Sequence, residues 1–268
     1  MLTSLWKYRR LILHNSLNDL RNRYRGSVGG VLWNILLPLM QITIFSLIFP
    51  VVMGYKLAQV RDMAPGITFV VFLCSGLLAW NSFAESLLRA VSSLVGNAGY
   101  LKKLPIPEHI FVAQDAVTGF LSACLTLTVF LVFCIVVARD GPHLAWVQVV
   151  PALVLLICFA YGFGLLLSCV NVFFRDVQPL MGVVMTLWFW LTPVVYFEDL
   201  FASTHAWLLT LMQFNPAYHF IRAFQLAIYR DAWVPWNTWL TCAAIALVFN
   251  LAAFAVLRRL RAEIRDVL

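Results

Sequence analysis

The residue types that usually carry catalysis or bind metals are few in this sequence and are scattered along it. The chain contains no GxxxxGK[ST] phosphate-binding loop, no HExxH zinc motif and no GxSxG nucleophile motif. The sequence therefore predicts neither catalytic residues nor a metal site, and any ATP hydrolysis must come from a separate chain. No two histidines are spaced as zinc ligands are; they are His14, His109, His143, His205 and His219.

The cysteines and carboxylates also fit a structural role. All six cysteines lie within apolar runs without CxxC spacing, so we interpret them as small buried hydrophobic residues. Glu85 and Arg89 are four residues apart and can form an ion pair on one helix face. Asp115 lies near the start of another apolar run. A proton-coupled carrier would have several ionisable residues near the bilayer midplane, so this pattern argues against secondary transport.

The composition of the chain requires a lipid environment. Of 268 residues, 62% are hydrophobic and only 12% are charged, and the mean hydropathy is +0.87; soluble domains carry about 25% charged residues. These values exclude a cytosolic enzyme, a nucleic-acid-binding module and a disordered chain. The net charge of +7 comes from basic residues at the ends of apolar runs, where they can meet anionic lipid headgroups.

The apolar runs predict an all-α integral membrane protein with six transmembrane helices. A bilayer core of about 30 Å takes roughly 20 apolar residues as helix, and the runs lack the alternation of a β-barrel. We treat residues 1–268 as one transmembrane domain, with a bundle over 31–257 and a cytoplasmic tail over 258–268. The predicted spans have the approximate bounds 31–53, 67–88, 110–138, 145–174, 180–197 and 236–257.

Residues 200–230 are apolar enough to suggest a seventh span, but their sequence argues against it. Asn215-Pro216 stands in the middle of the segment, and asparagine before proline is typical of a helix start. Two helices that meet there are each too short to cross a bilayer. We therefore predict a re-entrant or interfacial hairpin before the last span.

The positions of the basic residues support this topology. With six spans and a cytoplasmic N-terminus, fourteen of the nineteen Lys and Arg residues fall on the inner side, which agrees with the positive-inside rule. A seventh span would move the C-terminal arginines outside. The prediction is a multi-pass protein with both termini in the cytoplasm. The five basic residues predicted outside are Lys56, Arg61, Arg139, Arg222 and Arg230.

Residues 1–27 precede the first span and are predicted to form an amphipathic helix at the membrane surface. Apolar residues recur at helical spacing from Leu2 to Tyr24, and basic residues such as Arg21 and Arg25 lie off that stripe. Two interpretations remain open. The helix is either a simple membrane anchor or a mechanical element that contacts a partner and shapes the mouth of a pore.

Two cytoplasmic connections follow from this topology. The segment 96–108 is short, basic and contains two prolines, which restrict its backbone. A stiff loop of this kind can transmit force, but the residues alone favour a simple connector with positive-inside lysines. In the segment 173–179, adjacent Arg175 and Asp176 favour a structural role, such as capping a helix.

Aromatic residues make up 15% of the chain and allow two interpretations. They can form interfacial belts and lipid-facing surfaces. Some can instead line a conduit, because flat aromatic faces contact sugar rings by dispersion without fixing one pose, which suits a moving polymer. The candidates for such a conduit are Trp33, Phe45, Phe49, Trp188, Phe189, Trp190 and Tyr196.

Several motifs resemble those of one family. Residues 23–34 (RYRGSVGGVLWN), followed by Leu37-Pro38, resemble the start of type-2 ABC exporter permeases, most closely the polysaccharide exporters for O-antigen and teichoic acid, with capsule exporters more distant. Residues 102–108 (KKLPIPE) are similar to the coupling helix of that family. Residues 174–177 are similar to a further stretch of the family's sequence. Residues 215–223 are similar to the re-entrant hairpin that precedes the last span in that family. The matches occur in the family's order over most of the chain.

This resemblance implies a homodimer with two ATPase subunits that bind ATP and Mg, exporting a lipid-linked polysaccharide, O-antigen first, across a bacterial inner membrane. No cofactor is expected in this chain, and no nucleic acid as a partner. The residues implied in docking to the ATPase are Asn97, Tyr100, Lys102, Lys103, Pro105, Pro107 and Glu108. The resemblance places the seven aromatic candidates in the channel. Those implied at the cytoplasmic entrance are Arg21, Arg23, Tyr24 and Arg25, and those implied at the outer gate are Asn215, Pro216, His219 and Arg222.

Other functions remain as alternatives at this stage. A type-2 exporter of a drug or lipo-oligosaccharide would have the same architecture and a smaller cargo. An ATPase-independent channel or carrier would lack the partner subunit altogether. A membrane enzyme ranks last, because the sequence contains no catalytic constellation.

Overall fold

The computed structural model describes residues 2–23, 33–53, 65–139, 141, 143–197 and 206–268, and this part of the chain contains helices and no strand. The all-α prediction is therefore confirmed. The helices are α1 Leu2–Asn22, α2 Trp33–Met53, α3 Pro65–Gly96, α4 Ala98–Lys103, α5 His109–Val136, α6 Val149–Phe173, α7 Val177–Trp190, α8 Ala206–Phe214, α9 Pro216–Phe224 and α10 Trp236–Val267. A 3-10 turn, Leu144–Gln148, precedes α6, and a π-helical turn, Gln225–Tyr229, follows α9.

Four segments of the described chain are long and apolar enough to cross a membrane, namely Ile67–Gly96, His109–Val136, Leu144–Phe173 and Trp236–Val267. They coincide with four of the six predicted spans. Two further predicted spans fall on α2, which has 21 residues and no charged side chain, and on the 14-residue helix α7.

Helix α7 ends earlier than the sequence predicts. The predicted span reaches residue 197, whereas α7 stops at Trp190 and the chain continues in turns. Pro193 explains the difference, because proline disfavours helical geometry at the preceding Thr192 and offers no N–H to a helix.

Helices α3 and α10 extend beyond their predicted spans. Helix α3 continues to Gly96 and α10 to Val267, so the predicted tail 258–268 is mostly an uninterrupted part of the last helix. Leu257 and Ile264 are buried on this extension, while its arginines lie on the exposed side. Their spacing of seven residues keeps one face of the helix against the protein.

Helix α3 is the centre of the bundle and packs against α2, α5 and α6, while α6 lies between α3 and α10. Small residues allow these helices to approach closely, as is usual in membranes. A Cβ atom on Gly164 of α6 would lie 2.3 Å from the Cβ of Ala90 on α3. A Cβ atom on Gly119 of α5 would likewise be too close to Ser86 of α3, and one on Gly162 of α6 would be too close to Asn250 of α10.

Candidate functional site

The segment between α3 and α5 forms an exposed short helix, α4. Asn97 separates the two helices: its side-chain amide donates to the Ser93 carbonyl at 2.8 Å, and its own carbonyl accepts the N–H groups of Tyr100 and Leu101 at 3.0 Å. These bonds satisfy backbone groups at the end of α3 and the start of α4. Leu101 is buried and fixes α4 on the protein.

The opposite side of α4 faces away from the protein. Tyr100 is 61% exposed and Leu104 43% exposed, and Lys102, Lys103 and Pro105 are exposed as well. Asn97 and Pro107 are half-buried. The result is a small surface with two positive charges, one aromatic ring and one apolar side chain, which suits contact with another protein.

Glu108 is buried, unlike the exposed residues that precede it in this segment. Its side chain is only 1% exposed and is bound by two arginines of α10, with Arg261 Nε 3.1 Å from its carboxylate and Arg265 Nε in direct contact. Burial by itself raises the pKa of the Glu108 carboxyl, but the hydrogen bonds and the arginine charges outweigh it and hold the pKa below its usual range. Glu108 is therefore a carboxylate that ties the segment to α10.

Helix α1 is fixed to α5 by polar contacts. The side-chain amide of Gln114 on α5 donates to the Asp19 carboxylate at 2.8 Å and accepts from the side chain of Asn15 at 3.1 Å. The backbone carbonyl of Gln114 accepts from the Ser16 hydroxyl at 2.9 Å. His109, the first residue of α5, shares a 2.7 Å hydrogen bond with Ser4. A helix held only by lipid would lack these bonds, so they favour the mechanical interpretation of α1 over the simple anchor.

Two of the four predicted entrance residues, Arg21 and Arg23, lie in the described part of the chain, in the last turn of α1 and directly after it. The carboxylate of Glu85 is 2.7 Å from Arg23 and 3.3 Å from Arg89, which confirms the predicted pair of Glu85 and Arg89. Arg21 lies in the last turn of α1 and is exposed. Tyr24 and Arg25 lie outside the described residues.

Three of the predicted channel residues and two of the predicted gate residues line one cavity, beside the middle of α3. It has a volume of about 480 Å³ and is lined by Trp188, Trp190 and Tyr196 together with Asn215 and Pro216. The rest of the lining is apolar. The other lining residues are Leu191, Leu208, Leu211, Met212 and Phe214.

Asn215 is the polar centre of this cavity. Its side-chain oxygen accepts hydrogen bonds from Trp188 Nε1 at 2.7 Å and from the Ala217 backbone N–H at 3.0 Å, and its Nδ2 donates to Thr192 Oγ1 at 2.8 Å. The bond to Ala217 is an N-cap of α9. One amide therefore connects the start of α9 to the end of α7 and to the turn after it.

The remaining predicted channel residues are not part of the cavity lining, or their side chains lie outside what the structure describes. Phe189 packs on Trp80, with 5.7 Å between ring centroids. Trp33 is the half-buried first residue of α2. The side chains of Phe45 and Phe49, also in α2, lie outside the described part of the structure.

The other two gate residues are on α9. His219 shares a 2.9 Å hydrogen bond with the Gln213 carbonyl, and Arg222 donates to Tyr218 Oη at 2.6 Å. Arg222 and Tyr196 also line a small second pocket. In the described residues, no three His, Cys, Asp or Glu side chains are grouped so that they could hold a metal ion.

Sequence analysis missed two contributors to these sites. Thr192 completes the asparagine network, and its only sequence signal is its position before Pro193. The arginine pair of α10 was assigned to topology alone. Neither role can be inferred from local spacing, because the partners are 23 and about 150 residues away, respectively.

The network around Asn215 can be tested by substitution. We expect Asn215→Ala to lower the free energy of unfolding by about 1–3 kcal/mol, because it removes the N-cap and leaves Trp188 Nε1 without its acceptor. Asn215→Asp keeps the acceptor and should lose less. Thermal unfolding of the purified protein measures both; equal losses would contradict the importance of the acceptor.

Comparison with known proteins identifies the chain's relatives. The family model described as ABC-2 type transporter matches residues 10–229. An O-antigen export system permease protein of Myxococcus xanthus is 28% identical over 268 residues, which cover 99% of this chain and 98% of the relative. A Klebsiella pneumoniae protein of the same name is 30% identical over 199 residues, covering 74% and 72%. The polysialic acid transport protein KpsM of Escherichia coli is 25% identical over 184 residues, covering 67% of each. Because the family match spans most of its length, the chain belongs to the ABC-2 type transporter family.

Proposed function

We propose that this protein is the transmembrane subunit of an ATP-driven exporter of a polysaccharide, with O-antigen as the first candidate. The observation that carries the proposal is the similarity over nearly the whole chain to a permease named for O-antigen export. A second relative named for polysialic acid transport has a different polymer and supports the wider class. The chain itself is not an enzyme in this proposal; ATP and Mg bind to a separate ATPase.

The exposed face of α4 is the proposed contact with that ATPase. Tyr100, Lys102, Lys103 and Leu104 project from a helix that a buried leucine holds in place. A partner with a cleft and acidic residues would match this surface in shape and charge. Two copies of the permease and two ATPase subunits form the proposed complex.

The proposed topology keeps six spans, a hairpin and both termini in the cytoplasm of a bacterial inner membrane. The uncharged helix α2 and the apolar helix α7 supply the fifth and sixth spans beside the four long segments. Helices α8 and α9 are nine residues each and meet at Asn215, so about 14 Å of helix on either side suits a hairpin that does not cross.

The aromatic cavity is the proposed contact for the polymer. Two indoles and a phenol line one side of it, and the single amide at its centre is occupied by internal hydrogen bonds. Such a surface offers dispersion contacts to sugar rings and few fixed hydrogen bonds. A chain of sugars attached to a lipid carrier could therefore slide past it without being held.

The function is tested by expressing the chain together with candidate ABC ATPase subunits from the same genome. We expect the two proteins to purify as a complex and to place polymer on the cell surface only when ATP can be hydrolysed. A stable complex that expels small drugs or lipo-oligosaccharides but no polymer would favour the alternative cargo. Transport activity in the absence of any ATPase would favour a channel or carrier and refute the proposal.

The cavity itself is tested with two matched tryptophans. Trp190 lines the cavity and is 62% exposed; Trp207 is 64% exposed on α8 and is not part of the lining. We expect Trp190→Ala to lower the export rate about five- to tenfold, since the loss of about 1 kcal/mol of dispersion contact with one aromatic face changes a rate by roughly that factor. Trp207→Ala should export normally. Equal losses would show that both residues serve only as lipid contacts.

A further inference from the structure

Two neighbouring residues, Glu108 and His109, connect three distant parts of the chain. Glu108 binds Arg261 and Arg265 near the end of α10, and His109 binds Ser4 in the first turn of α1. Both residues directly follow the exposed α4 segment. The position of α4 relative to the bundle is therefore set by contacts with the first and the last helix as well as by α3.

The contact with α10 is the stronger of the two. The Glu108 side chain is 1% exposed, whereas those of Arg261 and Arg265 are 54% and 38% exposed. Arg265 also donates to the Ile106 carbonyl at 3.3 Å. A buried carboxylate without its cations is strongly unfavourable, so the loop and the end of α10 are expected to move together.

Helix α10 extends this connection through the bundle. Its 32 residues run for about 48 Å at the rise of an α-helix. It packs along α6, where the Asn250 side chain donates to the Cys158 carbonyl at 2.8 Å and meets Gly162. A displacement of the loop at the cytoplasmic end is thus passed to a continuous helix that contacts the core of the bundle.

We infer that Glu108 is a positioning residue that couples α4 to the last helix through Arg261 and Arg265, rather than a residue that touches the ATPase. Movement of the ATPase against α4 would then pull or push α10 through the contacts between the buried Glu108 carboxylate and the two arginines. The inference rests on the proposed function, since it takes α4 as the docking element. It adds α10 as the element that receives the motion.

The test uses the full permease with its ATPase in proteoliposomes. We expect Glu108→Gln, and the double variant Arg261→Gln with Arg265→Gln, to lower polymer export about tenfold, which lies within the usual range of coupling effects. The complex should still assemble, and ATP hydrolysis should stay within about twofold. The matched control is Arg258→Gln with Arg259→Gln, which removes two exposed charges from the same helix.

A second readout is independent of transport. Hydrogen exchange of the permease alone should show faster exchange over 98–108 in the Glu108 and Arg261/Arg265 variants, with α6 unchanged, because the loop loses its anchor. Arg265→Lys, which keeps the charge, should restore part of the protection. If Glu108→Gln does not accumulate, the two arginine variants carry the test alone.

The outcomes separate this inference from the proposed function. Normal export and unchanged exchange in the variants would overturn the inference, as would equal losses in the Arg258/Arg259 control. If the loop exchanges faster in the variants but the permease binds no ATPase, then Glu108 anchors the loop without coupling it to an ATPase. That result would refute the inference together with the proposed function. Loss of complex assembly in Glu108→Gln would show a docking role and overturn the inference alone.

Discussion

Gly164→Ala is expected to lower the free energy of unfolding by about 1–3 kcal/mol, although alanine normally favours a helix over glycine. The added methyl group would lie 2.3 Å from the Cβ of Ala90, and an alanine Cβ has no rotamer by which to move away. Helices α3 and α6 would have to separate along one of the two most extensive contacts of the bundle. Gly164→Leu should prevent a folded protein from accumulating.

Two variants make this expectation specific. On α7, a Cβ atom at Gly182 would have no atom of another described part of the chain within 4 Å, so Gly182→Ala should be neutral or slightly stabilising. Ala90→Gly in the Gly164→Ala background removes the clashing methyl group and should recover most of the loss. Thermal unfolding in one detergent compares all of them; a Gly164→Ala protein as stable as wild type would show that the two helices are not in close contact.

Reversing the charge of Lys102 and Lys103 is expected to reduce polymer export by about tenfold or more. Both side chains are exposed at the end of α4, so Lys102→Glu with Lys103→Glu should leave folding of the permease unchanged. Like charges placed against an acidic partner surface cost several kcal/mol and slow association. Export and co-purification with the ATPase should therefore fall together, which differs from the Glu108 variants.

The control for this experiment reverses two other adjacent charges on the cytoplasmic end. Arg258→Glu with Arg259→Glu changes the net charge by the same amount at exposed positions of α10. This control is expected to retain export and the bound ATPase. Retained export in the lysine variant would place the ATPase contact elsewhere and remove α4 from the mechanism.

Features that depend on local sequence could be predicted. Long apolar runs with basic ends require membrane helices wherever they occur, so four predicted spans coincide with helices long enough to cross. Asn215-Pro216 begins a helix because asparagine caps it and proline fits its first turn. The basic segment with two prolines contains the exposed helix α4, which the family resemblance implied and the local sequence did not, and it continues without regular structure over 104–107.

Features that depend on distant pairs could not be predicted. Gly119 and Gly164 look like ordinary glycines in apolar runs, and only the packed bundle shows what stands opposite them. The arginines at the end of α10 satisfy the positive-inside rule equally well whether or not they bind Glu108. The early end of α7 at Trp190 was missed because hydrophobicity outweighed the proline signal in defining the span.

The contacts between Glu108 and the arginines of α10 can form only late in the synthesis of the chain. Arg261 and Arg265 follow Glu108 in the chain by 153 and 157 residues, so a ribosome releases the carboxylate long before either of its cations. A truncated or unfinished product has the α4 segment but lacks the α10 contacts that fix it. The contacts that fix Glu108 can therefore form only after the last helix has been synthesised, so they belong to the late steps of folding.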